Sequence, residues 1–417
     1  MTKLTEIIDH LGGPGSKSGK VVIAMSGGLD SSVIAAILTG LGYECIGVHL
    51  RFWMDDTIFT EEEIEKFPEN KCCSLEALEH AREVAQQYEM PFYVMNTSEV
   101  FKSQIVDYFI DGFAGGVTPN PCVECNRSIK FGFLIDKMKE LGADFLATGH
   151  YAKVEKVSML SSGIDAKLNP EIEPAFRYAL RMADDKVKDQ SYFLYTLTQE
   201  KLKHCIFPLS KLTKDEVREI AEEEKLLKVI EKKESQGICF FPEKDHVPFL
   251  QRQFDKNEFD ANPGPMLTAA EEEKGEHRGL AFYTIGQREG LNIGGPDGPW
   301  YVIKKDPERN VLIVGPNEDL FAREVHADSL TFIEGGPPAE ALAGEGLRIL
   351  ARLRHRFTPN DAVLKIDNPE DYDPKNPDSL AKLTATVIYD DPQRAITPGQ
   401  SIVFYRRDEV LGGGIII

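Results

Sequence analysis

A glycine-rich turn near the N-terminus has the composition of a phosphate-binding loop. The residues Ser26–Ser32 read Ser-Gly-Gly-Leu-Asp-Ser-Ser and follow a run of β-branched apolar residues, Val21–Met25. Two glycines let the backbone turn tightly and approach a ligand closely. Apolar residues at helical spacing follow, so a helix N-terminus with its unpaired N–H groups and positive dipole end opens at the same point. No Gly-Lys-Ser/Thr closes the loop, so this is not the Walker A pattern.

Three cysteines form the second group of residues with chemical potential. Cys122 and Cys125 lie in the segment Thr118–Asn126, and Cys239 lies in Gly237-Ile238-Cys239-Phe240. Prolines on both sides of Asn120 predict that the first two thiols lie on a stiff loop.

Cations close in sequence favour the thiolate form of these cysteines. Arg127 and Lys130 follow Cys125 directly, and a nearby cation lowers a thiol pKa. A single Cys-x-x-Cys is also half of a structural zinc site, and further ligands are available for one. The candidates for those ligands are Cys239, Cys72, Cys73 and His150.

The elements that position these groups alternate between strand and helix over the first third of the chain. Helix-length amphipathic segments, among them Leu75–Tyr88 and Ser128–Leu141, separate the apolar runs, which favours a parallel sheet. Ligands of such sheets bind at the carboxyl ends of the strands, where the glycine-rich turn lies. The predicted strands are Val21–Met25, Glu44–Leu50, Phe92–Asn96 and Phe145–Thr148.

The residue pattern changes further along the chain. Lys153–Tyr178 breaks the rhythm and is predicted to be an exposed excursion, whereas Gln199–Leu227 has helical spacing. From about Pro263, glycine, proline and short β-rich runs predict a small β domain, with strands at Ala281–Ile285, Trp300–Lys304 and Val311–Val314. The last eighty or so residues predict a closed antiparallel barrel with strands at Leu347–Leu353, Lys382–Tyr389 and Ser401–Arg406.

Composition limits the class of protein. The 417 residues carry a net charge of −20, which argues against binding of nucleic acid through charge alone. The seven cysteines are an odd number, so metal or thiol chemistry is favoured over a disulfide framework. No run approaches the roughly 20 apolar residues of a membrane span, and a cytoplasmic protein without membrane contact is expected. Arg352, Arg354 and Arg356 alternate and are predicted to share one face of a strand as a local basic cluster.

Six motifs in a fixed order resemble those of the tRNA-specific 2-thiouridylases, enzymes that contain a PP-loop of the ATP pyrophosphatase type. The resemblance runs from about Val21 to Tyr405 and includes the glycine-rich turn and Thr118–Asn126. The other four motifs are Ala147-Thr148-Gly149-His150-Tyr151, Lys188-Asp189-Gln190-Ser191-Tyr192, Gly237-Ile238-Cys239-Phe240 and Tyr283-Thr284-Ile285-Gly286-Gln287-Arg288. Enzymes of that family replace the C2 oxygen of the wobble uridine of certain tRNAs by sulfur.

The resemblance implies a role for each matching position. Cys125 aligns with the family's nucleophile and Cys239 with its persulfide carrier, and Asp30 joins them as an expected catalytic residue. The positions implied to bind ATP are Ala24, Met25, Ser26, Gly27, Gly28, Leu29, Asp30, Ser31, Leu50 and Gly149. The positions implied to contact tRNA or its target base are Asn120, Pro121, Cys122, His150, Lys188, Asp189, Gln190, Arg354, His355 and Gln400.

The implied chemistry is coherent with the residue types. Transfer of AMP from ATP to the uracil oxygen creates a phosphate leaving group, and Mg²⁺ would help neutralise the departing pyrophosphate. Sulfur then arrives from a persulfide on Cys239, either by direct attack or as released hydrosulfide, while Cys125 resolves the S–S bond.

One departure from the family leaves a second route open. Many members carry Asp where this chain has Cys122, so Cys122, Cys125 and Cys239 form a set of three thiols. Three thiolates with one open position suit a 4Fe–4S cluster, and in that route Cys239 is a ligand rather than a persulfide carrier.

The expected protein is therefore an ATP-dependent tRNA-uridine 2-sulfurtransferase with an α/β fold. Its expected domains are a PP-loop catalytic domain over residues 1–225, a small central domain over 226–315 and a β-barrel tRNA-binding domain over 316–417. The sulfur donor is a desulfurase, a sulfur-relay protein or free sulfide, and the sequence leaves open which. A ligase that uses ammonia or an amine would not need Cys125 and Cys239, and a non-catalytic module with a zinc-bound Cys-x-x-Cys would not turn over ATP.

Overall fold

The computed structural model describes residues 2–10, 15, 17–59, 74–158, 176–231, 237–243, 245–257, 259, 261–294 and 298–417. Cys72 and Cys73, which the sequence offers as further zinc ligands, lie outside these residues. Within the described part of the chain, no helix is long and apolar enough to cross a bilayer.

A five-stranded parallel sheet forms the first layer, as predicted. Val21, Val22 and Ile23 in its central strand are fully buried, because helices cover both faces of a parallel sheet. The strand order is β3-β2-β1-β4-β7, so β2 and β4 lie on opposite sides of β1. The chain builds β2 and β3 on one side and then crosses over to build β4 and β7 on the other. The strands are β1 Lys20–Ala24, β2 Glu44–Arg51, β3 Phe92–Asn96, β4 Phe145–Ala147 and β7 Cys205–Ile206.

Helices that connect these strands are interrupted at two places. π-helical stretches, Lys102–Val106 and Asn126–Phe133, join consecutive α-helices, and such stretches are frequent at functional sites. The prediction of one continuous helix over Gln199–Leu227 is wrong, since β7 and one 3₁₀ turn separate two shorter α-helices there. The α-helices of this part are α1 Lys3–His10, α2 Leu29–Leu41, α3 Leu75–Gln87, α4 Ser98–Phe101, α5 Asp107–Ala114, α6 Pro121–Cys125, α7 Leu134–Glu140, α8 Gln199–Leu202, α9 Lys214–Glu223 and α10 Leu227–Glu231; Ser191–Leu194 and Pro208–Lys211 are 3₁₀ turns.

The loop predicted for both thiols of the Cys-x-x-Cys is instead the helix α6. Asn120 caps it, with the Asn120 side-chain oxygen accepting from the N–H of Val123 at 3.4 Å. Pro121 is the first helical residue, where its missing N–H costs nothing and its fixed φ favours the helix. Proline therefore starts this helix rather than preventing it.

The predicted excursion contains an antiparallel hairpin. Strands β5 Ala152–Ser158 and β6 Phe176–Met182 pair with each other over seven residues, and β6 pairs with β17 through Arg181 and Glu409. The break in rhythm thus marks a change of sheet, and residues 159–175 lie outside the described residues.

A four-stranded sheet and a helix form the small β-rich region that was predicted. The strand order is β10-β11-β8-β9. The predicted strand Ala281–Ile285 is wrong, because Leu280–Phe282 forms a 3₁₀ turn. The elements are α11 Val247–Asn257, β8 Gly264–Leu267, β9 Glu273–His277, β10 Tyr301–Asp306 and β11 Val311–Gly315.

Six further strands close into an antiparallel barrel, as predicted. The order is β12-β15-β14-β13-β16-β17, and an additional β12–β17 pairing closes the circle. Buried side chains such as Val387, Ile402 and Phe404 fill the interior. The elements are β12 Phe321–Phe332, α12 Ala339–Leu342, β13 Leu347–Arg352, β14 Asn360–Ile366, β15 Ala385–Arg394, β16 Ser401–Arg406 and β17 Glu409–Ile416, with 3₁₀ turns at Asn317–Leu320, Pro369–Asp371 and Pro377–Lys382. We propose the domain division 1–225, 226–315 and 316–417, with the β5–β6 hairpin of the first domain extending the sheet of the third.

Candidate active site

A cavity of about 350 Å³ lies where the strand order of the parallel sheet reverses, next to the carboxyl ends of β1 and β4. This is the position at which open α/β sheets bind their ligands. The cavity brings together the glycine-rich turn, the three cysteines and the residues after β4. Sequence-predicted residues on its wall are Ala24, Met25, Ser26, Asp30, Ser31, Leu50, Pro121, Cys122, Cys125, Gly149, His150, Gln190 and Cys239.

The glycine-rich turn is shaped by close approaches that only glycine permits. Gly27 has a φ of +70°, and a Cβ there would lie 1.8 Å from the carbonyl oxygen of Ala77. Gly28 is the N-cap residue of α2, and the hydroxyls of Ser31 and Ser32 both donate to its carbonyl oxygen, at 2.9 and 3.0 Å. The first N–H groups of α2 have no intrahelical acceptor, so they suit the oxygens of a phosphate.

Asp30 is held by two groups from other parts of the chain. The ammonium of Lys214 donates to both carboxylate oxygens at 2.8 and 2.9 Å, and the hydroxyl of Tyr151 donates to one of them at 2.9 Å. Lys214 is only 8% exposed, and sequence reasoning missed it. One signal was present, since a lysine in the first turn of a helix opposes the helix dipole and needs another reason to be there.

Gly149 closes the other side of the turn. A Cβ on Gly149 would lie 3.0 Å from Cβ of Asp30, so the segment after β4 packs directly on the start of α2. This contact brings the turn after β1 and the segment after β4 together at one point, and it explains why a residue with no side chain stands here.

The three thiols have different environments on the same cavity wall. Cys125 is buried, Cys239 is half-buried and Cys122 is exposed. Of the two predicted cations, Lys130 lines the cavity. The guanidinium of Arg127 instead makes a two-pronged ion pair with Glu124 at 2.8 and 2.9 Å.

Aromatic packing anchors the segment that carries Cys239. Phe240 and Phe241 are almost fully buried, and their rings lie 5.4 and 5.1 Å from the ring of Phe249 on α11. Phe240 also contacts Phe109 of α5 at 5.3 Å. The Cys-Phe-Phe sequence therefore puts the thiol at the cavity by burying its two neighbours.

His150 lies buried on the same cavity wall as the three thiols. It is 8% exposed, its Nδ1 lies 2.6 Å from the hydroxyl of Thr148, and the ring of Phe131 lies 5.6 Å away. Burial, and secondarily the charge of Lys130, lower the pKa of His150 well below its usual 6.5.

Two of the predicted tRNA contacts, Asp189 and Gln190, face inward in this structure. Asp189 is 1% exposed, and its carboxylate accepts from the guanidinium of Arg352 and the hydroxyl of Ser191, at 2.8 and 2.9 Å. A direct tRNA contact by Asp189 does not fit this placement, whereas the neighbouring Lys188 is half-buried at the surface. Gln190 lines the cavity and accepts from the N–H of Tyr151 at 3.0 Å.

The arginine cluster predicted on one strand face does not form. Strand β13 ends at Arg352, which is buried, while Arg354 and Arg356 lie in the turn that follows. Arg354 donates to the carbonyl oxygen of Ala395 at 2.9 Å, and the ring of His355 lies 4.6 Å from that of Phe193. Neither Arg354 nor His355 lines the cavity.

Gln400 contacts the active-site segment itself rather than lying apart from it on the barrel. Its side-chain amide donates to the carbonyl oxygens of Thr118 and Pro119, at 2.8 and 3.2 Å. The N–H of Thr118 in turn donates to the carbonyl oxygen of Pro398 at 2.9 Å. The barrel thus holds the residues that lead into Asn120 and α6.

Two metal groups are candidates for the cysteines, a zinc ion and a 4Fe–4S cluster. Among the residues that the structure describes, no three His, Cys, Asp or Glu side chains are grouped to hold a metal ion, and two of the zinc ligands that the sequence offers, Cys72 and Cys73, lie outside these residues. Three thiols on one cavity wall are the donor set of a larger group such as a 4Fe–4S cluster.

Comparison with known proteins assigns the family. Residues 19–243 match the family described as tRNA methyl transferase HUP domain, residues 252–316 its PRC-barrel domain, and residues 377–416 an aminomethyltransferase β-barrel domain. The tRNA-specific 2-thiouridylase MnmA 1 of Caldanaerobacter subterraneus is 43% identical over 96% of this chain and 98% of its own length. The chain belongs to the tRNA-specific 2-thiouridylase family.

Other relatives agree with this assignment, which confirms the family and the fold class expected from the motifs. The tRNA-specific 2-thiouridylase MnmA of Geobacter metallireducens is 43% identical over 95% of this chain and 96% of its own length. Among solved structures, the U34-tRNA thiolase NcsA of Methanococcus maripaludis, with its [4Fe-4S] cluster, is 19% identical and covers 61% of this chain and 71% of its own, with a TM-score of 0.31. That similarity is too low to bear on the chemistry of this chain. The matched HUP domain implies ATP binding.

Proposed function

We propose that this chain is an ATP-dependent sulfurtransferase that converts the wobble uridine of tRNA to 2-thiouridine, with release of AMP and pyrophosphate. The observation that supports the proposal most strongly is the single cavity shared by the glycine-rich turn, Cys125 and Cys239. The first half of the reaction needs a site for ATP phosphates and the second half needs thiols within reach of the same base.

Adenylation is the task of the turn and of Asp30. The N–H groups at the start of α2 bind the phosphates, and Leu50 on the cavity wall contacts the adenosine. The phosphates themselves would hold Mg²⁺, because this ion prefers phosphate oxygens and both carboxylate oxygens of Asp30 already accept from Lys214. Bound Mg²⁺ would neutralise charge on the departing pyrophosphate. The uracil oxygen attacks the α-phosphorus, and the O–C2 bond then carries AMP as a leaving group.

Sulfur transfer by the metal-free route uses both remote thiols. The terminal sulfur of a persulfide on Cys239 attacks C2, AMP leaves, and the new C2–S bond remains linked to Cys239 through S–S. The thiolate of Cys125 then attacks the sulfur of Cys239, which releases 2-thiouridine and leaves a Cys125–Cys239 disulfide. An external thiol reductant returns the disulfide to two thiols. Alternatively, Cys125 attacks the persulfide first and the hydrosulfide so released attacks C2.

A 4Fe–4S cluster is the second form of the proposal, supported by the three thiols that share the cavity wall. Cys122, Cys125 and Cys239 would hold three irons, and what the bound cluster supplies is one open iron position for hydrosulfide. In this form the same thiols are ligands, so loss of any of the three is expected to abolish activity. In the metal-free form, Cys122 is dispensable.

The substrate base enters between α6 and the segment after β4. Pro121 and Cys122 line the cavity on one side, and His150 lies on its wall. Asn120, which caps α6, is proposed to act on the base from the same helix. Lys188, Arg354 and His355 are proposed to contact the tRNA outside the cavity. The sulfur donor is proposed to be a desulfurase, a sulfur-relay protein or free sulfide.

One experiment tests the reaction and separates its two forms. The protein is purified without oxygen, analysed for iron, sulfide and zinc, and assayed for thiolation of unmodified tRNA with ATP and one of two sulfur sources. Free sulfide serves the cluster form, and a desulfurase with cysteine serves the persulfide form, because sulfide alone cannot supply the outer sulfur of a persulfide. Cys122→Ser, Cys125→Ser and Cys239→Ser are compared with Cys45→Ala, a buried thiol of β2 away from the cavity.

About four irons per chain, lost in all three serine variants together with activity, establish the cluster form. Activity in metal-free protein that survives only in Cys122→Ser and Cys45→Ala establishes the persulfide form. Turnover of ATP without thiolation, unchanged in Cys125→Ser and Cys239→Ser, overturns the proposal in favour of an amine-using ligase.

A further inference from the structure

A fully buried carboxylate lies just beyond strand β2, outside the candidate active site. Asp55 is 0% exposed and accepts from Gln253 Nε2 at 2.8 Å and from the hydroxyl of Thr57 at 2.6 Å. It also accepts from Arg252 Nη2 at 3.0 Å. Burial of an unpaired carboxylate costs several kcal/mol, so this charge persists only because all of these donors surround it.

The guanidinium of Arg252 uses every one of its nitrogens in this network. Nη2 donates to Asp55, Nε donates to the hydroxyl of Thr57 at 3.1 Å, and Nη1 donates to Glu243 at 2.6 Å. Glu243 follows Cys239 by four residues in the chain. Arg252 on α11 therefore ties the segment that leaves β2 to the segment that carries Cys239.

Both segments reach the cavity through aromatic residues. Phe52 and Phe240 line the cavity, and each packs on Phe101, with ring centroids 4.6 and 6.0 Å apart. The ring of Trp53 lies 6.4 Å from that of Phe249, and Phe249 in turn stacks on Phe241 at 5.1 Å. These apolar contacts bury and anchor the segment, but the hydrophobic effect behind them is non-directional. The planar fork of Arg252 is directional, because two carboxylates from different segments must meet it in one plane.

We propose that the Asp55–Arg252–Glu243 network is a positioning device that sets the place of Cys239 relative to the adenylated base. The proposal rests on the proposed function. Within the described part of the chain, none of the three residues is on the wall of the cavity, so they act through the segment that carries Cys239 and not on ATP or uridine. A misplaced thiol delays sulfur transfer, and water then hydrolyses the adenylated base back to uridine and AMP. The expected defect is uncoupling, in which AMP forms at the normal rate but 2-thiouridine does not.

The measurement is the number of AMP molecules released per 2-thiouridine formed in a single turnover of the full-length enzyme with tRNA and its sulfur source. Glu243→Ala is the principal variant, because it cuts the tie to the Cys239 segment and leaves the Asp55–Arg252 pair in place. Arg252→Lys keeps the charge but not the fork. Arg309→Met is the matched control, since Arg309 pairs with Glu271 on the surface of the small β-rich region.

We expect the ratio of AMP to 2-thiouridine to rise roughly ten- to hundredfold in Glu243→Ala and Arg252→Lys, since a displacement of about 1 Å has such effects. The rate of AMP release should stay within about twofold of the wild type, and Arg309→Met should keep the wild-type ratio. Equal losses of AMP and 2-thiouridine, or an unchanged ratio in Glu243→Ala, overturn the positioning role. Absence of 2-thiouridine in the wild type refutes the proposed function instead, so the two failures are distinct.

Discussion

The ion pair between Lys214 and Asp30 predicts how strongly ATP binding depends on a residue outside the glycine-rich turn. In Lys214→Met the aliphatic stem remains but both N–O contacts, at 2.8 and 2.9 Å, are lost. Asp30 then keeps only the hydroxyl of Tyr151 and turns an uncompensated negative charge toward the phosphates.

The size of the effect follows from the exposure of the two side chains. Removal of one partner costs 3–5 kcal/mol in a fully buried pair and at most about 1 kcal/mol in an exposed pair. Lys214 is 9% exposed in its side chain but Asp30 is 31% exposed, which places the cost between these limits, at about 1.5–3 kcal/mol. Asp30 meets the phosphates only in the complex, so its uncompensated charge penalises the ATP-bound state, and a cost of this size raises the dissociation constant of ATP about 10- to 150-fold.

The assay is equilibrium binding of a non-hydrolysable ATP analogue with Mg²⁺ present, supported by thermal unfolding. Lys211→Met is the matched control, because Lys211 is an exposed lysine three residues earlier on the 3₁₀ turn. An affinity in Lys214→Met within twofold of the wild type would refute the reasoning, since the ion pair would then contribute nothing to the nucleotide site.

Three other predictions test the geometry elsewhere. Gly27→Ala should lower the free energy of unfolding by at least about 3 kcal/mol in a denaturant titration and abolish ATP binding. Gly142→Ala, with a φ of +65° but open space around it, should cost only about 1–2 kcal/mol. Equal costs would contradict the close approach of Gly27 to α3. Gln400→Leu removes two hydrogen bonds to the segment before α6, so thiolation should slow about tenfold while the Kd for tRNA stays constant. Weaker binding of tRNA with an unchanged kcat would instead indicate that Gln400 contacts tRNA directly. Because the pKa of His150 is lowered in the folded chain, the unfolded chain gains a proton below pH 6.5 that the folded chain does not, and stability is lost as the pH falls below this value. His150→Asn should make this decline of the free energy of unfolding shallower by up to about 1.4 kcal/mol per pH unit. An unchanged slope would show that His150 charges in the folded state.

The sequence by itself determined the features that depend on neighbours in the chain. The run Val21-Val22-Ile23 is apolar on both faces, which suits only a strand covered on both sides, and the glycines after it allow only a tight turn. The order of the six motifs was sufficient for the family, because each motif is local and its identity does not require knowledge of the fold. The short strand-like runs near the C-terminus were enough to predict a barrel, since apolar side chains at alternate positions of each strand need a shared interior.

Only the tertiary structure decided which distant groups meet. Cys239 shares a cavity wall with Cys125 because two buried phenylalanines hold its segment against α5 and α11, and no local pattern specifies that placement. The loop predicted around Pro121 was wrong for a local reason, because Asn120 caps the helix that Pro121 begins. Asp189, in contrast, turns inward because it pairs with Arg352 of the barrel, a residue that is distant in sequence. Charge pairs and close contacts depend on distances through space, and a chain of 417 residues offers far more possible pairs than its order along the sequence can rank.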